Sequence, residues 1–276
     1  MPPPLGALVL SSHPGPSVAV SVVATTLGIA VGLDPLRVAL LGIAFLLGQV
    51  SVGLSNDWID ADRDRAVGRT DKPVAAGLVS VGTVRAAAVA TAIAAIALTL
   101  PLGWLATLAH TVFIVSAWGY NLGLKNSPSS VLPYIVSFGL LPMIATLARP
   151  VPAAAAPWAV ALGALLGVAA HFANVLPDLD ADARTKVSGL PHRLGRGASG
   201  IVIWASLAAG AAAGFFGPAG GKTALQWVGL ALTLSLAAAI AVRLRRPPTR
   251  LLFQLIIAAA LVNGVLLSFS GSRLLA

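Results

Sequence analysis

Apolar residues in this chain come in long unbroken stretches rather than in the alternating or one-sided patterns of a soluble fold. Nine stretches stand out, at roughly 16–33, 36–55, 82–100, 102–120, 130–148, 154–175, 198–216, 224–242 and 251–270. Each approaches the roughly 20 residues that a helix needs to cross the hydrocarbon core of a bilayer. Pro101 and Gly103 separate the third from the fourth, Arg149, Pro150 and Pro152 the fifth from the sixth, and the run 244–250 (LRRPPTR) the last two. No linker divides the chain. The pattern predicts one all-α, polytopic membrane domain over 1–276, with nine transmembrane helices around a central cavity. Gly and Ala are abundant inside the stretches, which suits close packing of helices in lipid.

Composition agrees. The chain is 57% hydrophobic and 10% charged, where a soluble domain carries about 25% charged residues. The net charge of +9 would suggest nucleic acid in a soluble protein; here it reads as topology. With the first residue cytoplasmic, the inner connections hold 14 of the 18 Lys and Arg residues and the outer ones hold 4. That bias orients the chain by the positive-inside rule and sends its last residue outside. With no cysteine, disulfides, thiolate catalysis and zinc–thiolate sites are excluded. The first residues lack a positive n-region, and Pro14 and Pro16 interrupt their apolar run, so they do not read as a cleaved signal peptide.

The acidic residues are the sharpest feature. All nine are aspartates, and eight fall in two segments: NDWIDADRDRAVGRTDKP (56–73) and NVLPDLDADARTK (174–186). Each follows an apolar stretch, and the predicted topology puts both on the cytoplasmic face. Ionised groups at the membrane are costly and mark function. If the second helix continues through residue 64, its 100° step places Asn56, Asp57, Asp60 and Asp64 on one face and turns Asp62 away, toward Arg63 or Arg65. Asp178 and Asp182 share a face, which Asn174 and His171 extend into the membrane. Oxygen donors at this spacing suit a hard cation such as Mg2+, and through it a diphosphate. Arg69, Lys72, Lys125, Arg184 and Lys186 are placed to neutralise such a group.

These residues carry a resemblance. NDWIDADRD (56–64) resembles the NDxxDxxxD signature of the UbiA superfamily of intramembrane prenyltransferases, DLDAD (178–182) its DxxxD motif, and YNLGLK (120–125) its tyrosine-to-lysine loop. The resemblance implies that Asn56, Asp60, Asp64, Asp178 and Asp182 position Mg2+ and a prenyl diphosphate. It further implies that Lys125 contacts the diphosphate and that Tyr120 lines the chamber, steadying positive charge. Asp57 occupies a variable motif position. Two departures stand out. Lys72-Pro73 replaces the usual Arg-Pro, with Arg69 the candidate for the missing guanidinium, and Gly189 stands where a threonine is common. The expected reaction is transfer of a prenyl group to an aromatic or other hydrophobic acceptor through an allylic carbocation. The same ionisation without an acceptor would make a terpene cyclase. A secondary transporter is the rival from another class; its site would lie near the bilayer midplane, whereas these aspartates sit at helix ends.

Among other features, His110 is expected to pack as a hydrogen-bonded residue, and His171 is a candidate to polarise or deprotonate an acceptor. Trp58, Trp104, Trp158 and Trp227 read as interfacial anchors, and Trp118 and Trp204 as candidate cavity walls. HPGP (13–16) reads as the lead into the first helix, with a part in an acceptor pocket as the alternative.

Overall fold

The computed structural model describes residues 4–179, 187–243, 258, 262, 263, 266, 267 and 269–276. Asp180, Asp182, Arg184 and Lys186, the run 244–250 and most of the expected ninth helix lie outside the described residues, and of Asp178 only the backbone is described. Ten α-helices and no strand are present among the described residues: α1 Pro4–Ser11, α2 Pro14–Ala30, α3 Pro35–Ile59, α4 Ala61–Ala66, α5 Val81–Thr99, α6 Trp104–Leu122, α7 Leu132–Leu147, α8 Pro157–Val175, α9 Leu190–Phe216 and α10 Ala224–Arg243. Short 3-10 turns follow α5, α6 and α8.

Each of the first eight expected segments coincides with a helix, but not all meet the length and apolarity of a membrane span. Four do, Pro35–Ile59, Val81–Leu102, Pro157–Val175 and Leu190–Phe216. A fifth forms if Leu5–Ser11 and Pro14–Ala30, bent by 65° at their junction, count as one. Nine spans are therefore not shown: the described residues form an all-helical bundle with four to five helices long and apolar enough to cross a membrane. Helix α7 has 16 residues, about 24 Å at 1.5 Å per residue, and carries Pro142 in its interior.

Local sequence sets the ends. Proline opens α2, α3, α7, α8 and α9 within the first two positions, where its fixed φ suits a helix and its missing N–H costs nothing. Asp34 caps α3 by accepting from Arg37 N, and Ser80 caps α5 by accepting from Thr83 N. Helix α9 bends at Gly195, whose φ of 74° is open to glycine at little cost.

Helix α3 packs chiefly on α5 and α2, α7 on α8 and α6, α8 on α9, and α9 on α10. The core between them is built from Leu27, Leu41, Phe45, Ile144, Leu162, Phe172, Ile203 and Leu207. Outward faces remain apolar, with Ile43, Ile93, Val115 and Ile201 all exposed. A bundle apolar on both sides of its backbone is what a lipid environment requires.

The chain path gives the bundle two distinct ends. At one, Arg37 Nη1 donates to Ala148 O (2.7 Å) and Leu102 O (3.3 Å), tying the start of α3 to the finish of α7. Gly217, after α9, lies against Trp158 at the start of α8. Residues 271–276 are pinned there as well, with Leu274 O accepting from Ala156 N at 2.7 Å. At the other end sit the last turns of α3, α6 and α8 and the first turns of α7 and α9. Ser130 joins them: its Oγ accepts from Leu190 N at 2.8 Å and bonds His171 Nε2 at 3.0 Å. Both Asp-rich segments follow helices that finish at this second end.

Candidate active site

The expected single helix through residue 64 is broken. Helix α3 ends at Ile59, Asp60 forms the junction, and α4 begins at Ala61. Register survives nonetheless, because Asp60 N donates to Asn56 O at 3.0 Å and Asp64 N to Asp60 O at 2.8 Å. The 100° step therefore still sorts the side chains. Asp57, Asp60 and Asp64 are 2%, 5% and 2% exposed. Asp62 points outward with a 98% exposed side chain, paired with Arg65 Nη1 at 2.9 Å.

Three carboxylates this close repel one another unless cations stand among them, and three do. Lys125, from the turn after α6, pairs with Asp60 Oδ1. Lys72 places Nζ 3.2 Å from Asp57 Oδ1 and 2.9 Å from Asp64 Oδ2, and donates to Asn56 Oδ1 at 3.2 Å. Arg63 reaches back to Asp60 Oδ2 (2.8 Å) and Asp64 Oδ1 (3.3 Å). Burial opposes the charge on Lys72, but Asp57 and Asp64 outweigh it and hold the ammonium above the usual lysine value. For Lys125 burial wins over Asp60, helped by repulsion from Arg63 and Lys72, and its pKa falls below the usual value. Arg69, the expected extra grip, forms a two-point pair with Asp71 at 2.8 Å on each arm; that pairing, against a smaller opposing effect of burial, lowers the Asp71 pKa to about 2.

Asn56 is oriented from a third helix. Its Nδ2 donates to Asp60 Oδ2 and to Asn121 Oδ1, both at 3.3 Å, while Asn121 donates to Ser55 Oγ (2.8 Å) and Val52 O (3.0 Å). Beside Asn121, Tyr120 enters an aromatic layer. Its ring meets Tyr134 at 5.2 Å and His171 at 5.7 Å, both edge-on, and Tyr134 meets His171 at 5.0 Å. Asn174 Nδ2 lies 3.5 Å from Tyr134 Oη. This layer links the first motif to the last turn of α8, four residues before Asp178.

Four side chains make contacts that the sequence pattern does not indicate. Of the two candidate partners of Asp62, Arg65 takes it, and Arg63 holds Asp60 and Asp64. Asn121 lies inside the quoted YNLGLK segment without a role. His13 Nε2 donates to Asp57 Oδ1 at 3.0 Å across 44 positions, which no spacing rule reports. Trp118 donates to Ser51 Oγ at 3.0 Å and packs edge-on against Trp58 at 5.9 Å, so it braces α3 against α6. His110 packs as expected, stacked on Phe45 at 4.6 Å, but without the expected hydrogen bond, since neither ring nitrogen has a partner among the described residues.

The oxygens of the first motif suit a divalent cation. Asp64 Oδ2 is buried and meets Lys72 Nζ at 2.9 Å. With Asn56 Oδ1 and Asp60 it offers hard oxygen donors of the kind magnesium prefers. No group of three His, Asp or Glu side chains closes around a cation among the described residues. The donor chemistry fits, and completion of a ligand set would fall to Asp178 and Asp182.

The buried acid–base cluster and the aromatic layer thus share one end of an apolar helical bundle. The family model of the UbiA prenyltransferase family matches residues 6–267, and the chain belongs to that family. It is 29% identical over 209 residues to a 4-hydroxybenzoate octaprenyltransferase of Ralstonia nicotianae, covering 74% of this chain and 66%, just under two thirds, of that relative. Solved structures share the fold. A UbiA homologue from Archaeoglobus fulgidus bound to GPP and Mg2+ superposes with TM-score 0.72 at 13% identity, over 95% of this chain and 99% of that one. The apo structure of a UbiA homologue from Aeropyrum pernix K1 gives 0.70 at 22% identity, over 91% and 94%. The family and the run of apolar helices make this a multi-pass membrane protein.

Proposed function

We propose that this protein transfers a prenyl group from a prenyl diphosphate to an aromatic acceptor, with Mg2+ as cofactor. The observation that carries the reading is the buried set Asp57, Asp60 and Asp64 with half-buried Asn56, interleaved with Lys72, Lys125 and Arg63, at the bundle end where the second motif begins. A buried ion cluster is poor evidence for stability and is better explained by a charged ligand that enters it. The relative that acts on 4-hydroxybenzoate supports a hydroxybenzoate-like acceptor, and the homologue bound to GPP and Mg2+ supports the donor class.

Asn56, Asp60, Asp64, Asp178 and Asp182 would hold Mg2+, which when bound neutralises the leaving diphosphate. Lys125, Lys72, Arg184 and Lys186 spread the charge that develops as the C1–O bond breaks. Arg69 joins them if it leaves Asp71. Tyr120, with Tyr134 beside it, turns an electron-rich ring toward the allylic cation, and Asn174 borders the acceptor. Enclosure by the aromatic layer keeps water from capturing the cation. The site lies at the cytoplasmic face of the plasma or inner membrane, following the lysine and arginine bias.

The test is purified protein in detergent with Mg2+, donors of several chain lengths and a panel of phenolic and naphthoic acids, read by mass spectrometry. Prenylated acid is the expected product. Cyclic hydrocarbon from donor alone would replace transfer by cyclisation, and no consumption of any donor would overturn both. Asp60→Asn and Asp178→Asn should each lower diphosphate release by roughly a hundredfold or more, the scale of losing one charge-stabilising contact.

A further inference from the structure

His13 stands in a backbone conformation that few residues with a side chain adopt. It forms the elbow between α1 and α2, with φ 52° and ψ 64°, and is the one non-glycine residue at positive φ among the described residues. Left-handed backbone is disfavoured for a side chain with a Cβ and open to glycine. Such outliers persist only where the surroundings over-determine them, and they gather at working sites. The surroundings here do so. Ser12 O faces Gly53 of α3 so closely that a Cβ at Gly53 would overlap it. Ser17 Oγ donates to Ser12 O at 2.8 Å, and Ser17 N to His13 O at 3.2 Å. On the α1 side, Ala7 is fully buried with Leu54, Ala61, Val74 and Val84. The elbow is thus clamped one turn before Asp57, and the strained residue is the one whose ring reaches that carboxylate. It does not cap α2, since its side chain makes no cap hydrogen bond.

We propose that His13 is a positioning residue of the donor site: through Asp57 it fixes Lys72, and so the cation that meets the diphosphate. The two side chains converge on one oxygen, Asp57 Oδ1, at 3.0 Å from His13 Nε2 and 3.2 Å from Lys72 Nζ. Asp57 is almost fully buried, so its position is set by these two partners. Without His13 the carboxylate is free to swing toward Lys72, drawing the ammonium off Asp64 and Asn56. This reading depends on the proposed donor chemistry.

Three variants separate it from a structural role. His13→Gly relieves the backbone and His13→Asn tolerates it, whereas His13→Ala keeps the strain and removes the ring. Thermal midpoints for His13→Gly and His13→Asn should equal or exceed wild type, while geranyl diphosphate with Mg2+ binds about tenfold more weakly to His13→Gly, as loss of one hydrogen bond to a charged group implies. His13→Asn, which keeps a donor, should recover part of that loss, and kcat at saturating donor should change less than KM. In Asp57→Asn the His13→Gly effect should vanish. Wild-type affinity in His13→Gly, or losses that follow the thermal midpoint across the three variants, would overturn the inference. Failure of the wild type itself to bind geranyl diphosphate would instead overturn the donor assignment.

Discussion

Lys125 shows how a single side chain acquires a property that its type lacks. Burial in the turn after α6 works against its charge, and Asp60 does not fully compensate. It therefore loses its proton below the usual lysine value of 10.5, while Lys72, held above that value by Asp57 and Asp64, keeps its own. If the Lys125 ammonium binds diphosphate, kcat/KM, which reports the free enzyme, should fall on the alkaline side before pH 10.5. In Lys125→Arg the limb should move beyond the reach of the assay, because a guanidinium does not titrate there. An unchanged limb in the arginine variant would assign it to another group. Much of this cluster was legible in the sequence, since the 100° step alone divides buried Asp57, Asp60 and Asp64 from exposed Asp62. Arg63 escaped because a long side chain can reach back around the helix: its Cα sits beside Asp62, but its guanidinium ends on Asp60. His13 escaped because contacts between segments 44 residues apart are set by how α1 and α2 dock, which local periodicity does not encode.

At the scale of elements, glycines decide how closely helices approach and so where the site's side chains stand. Gly163 and Gly167 of α8 face Phe138 O and Tyr134 O of α7, and a Cβ on Gly167 would also come within 2.9 Å of Phe138 Cβ. Close backbone contact of this kind holds membrane helices together where no hydrophobic force favours association. It also sets Tyr134 against Tyr120 and His171. Gly167→Ala should therefore destabilise by about 1–3 kcal/mol, the usual range for overpacking, and should lower activity beyond its effect on the folded fraction. Gly197, exposed within α9 with nothing within 4 Å of an added Cβ, is the control. There alanine should be neutral or stabilise by up to about 1 kcal/mol. Thermal unfolding in one detergent measures both, and equal shifts would mean that close approach of α7 and α8 is not limiting. Helix positions were readable from apolar length, Pro and Gly. The break at Asp60 was not, because Ile59, Asp60 and Ala61 contain no residue that forbids a helix.

For the whole molecule, the consequential question is which water phase each end of the bundle meets. Helix α1, packed beside Leu54 and Val74, lies at the end that bears the acidic cluster, and residues 271–276 are pinned at the other. In the proposed orientation, the lysine and arginine bias puts the cluster on the cytoplasmic side. Because the chain has no cysteine, single cysteines can be placed without first removing any. Asp62→Cys and Ser129→Cys mark the end that bears the cluster; Pro150→Cys and Gly221→Cys mark the opposite end, and all four positions are exposed. With an impermeant maleimide on intact spheroplasts, Pro150→Cys and Gly221→Cys should label, and Asp62→Cys and Ser129→Cys only after permeabilisation. The reverse pattern would put the acidic cluster on the outer face, away from donors made in the cytoplasm. A mixed pattern within either pair would mean that the two ends of the bundle do not correspond to the two faces of the membrane.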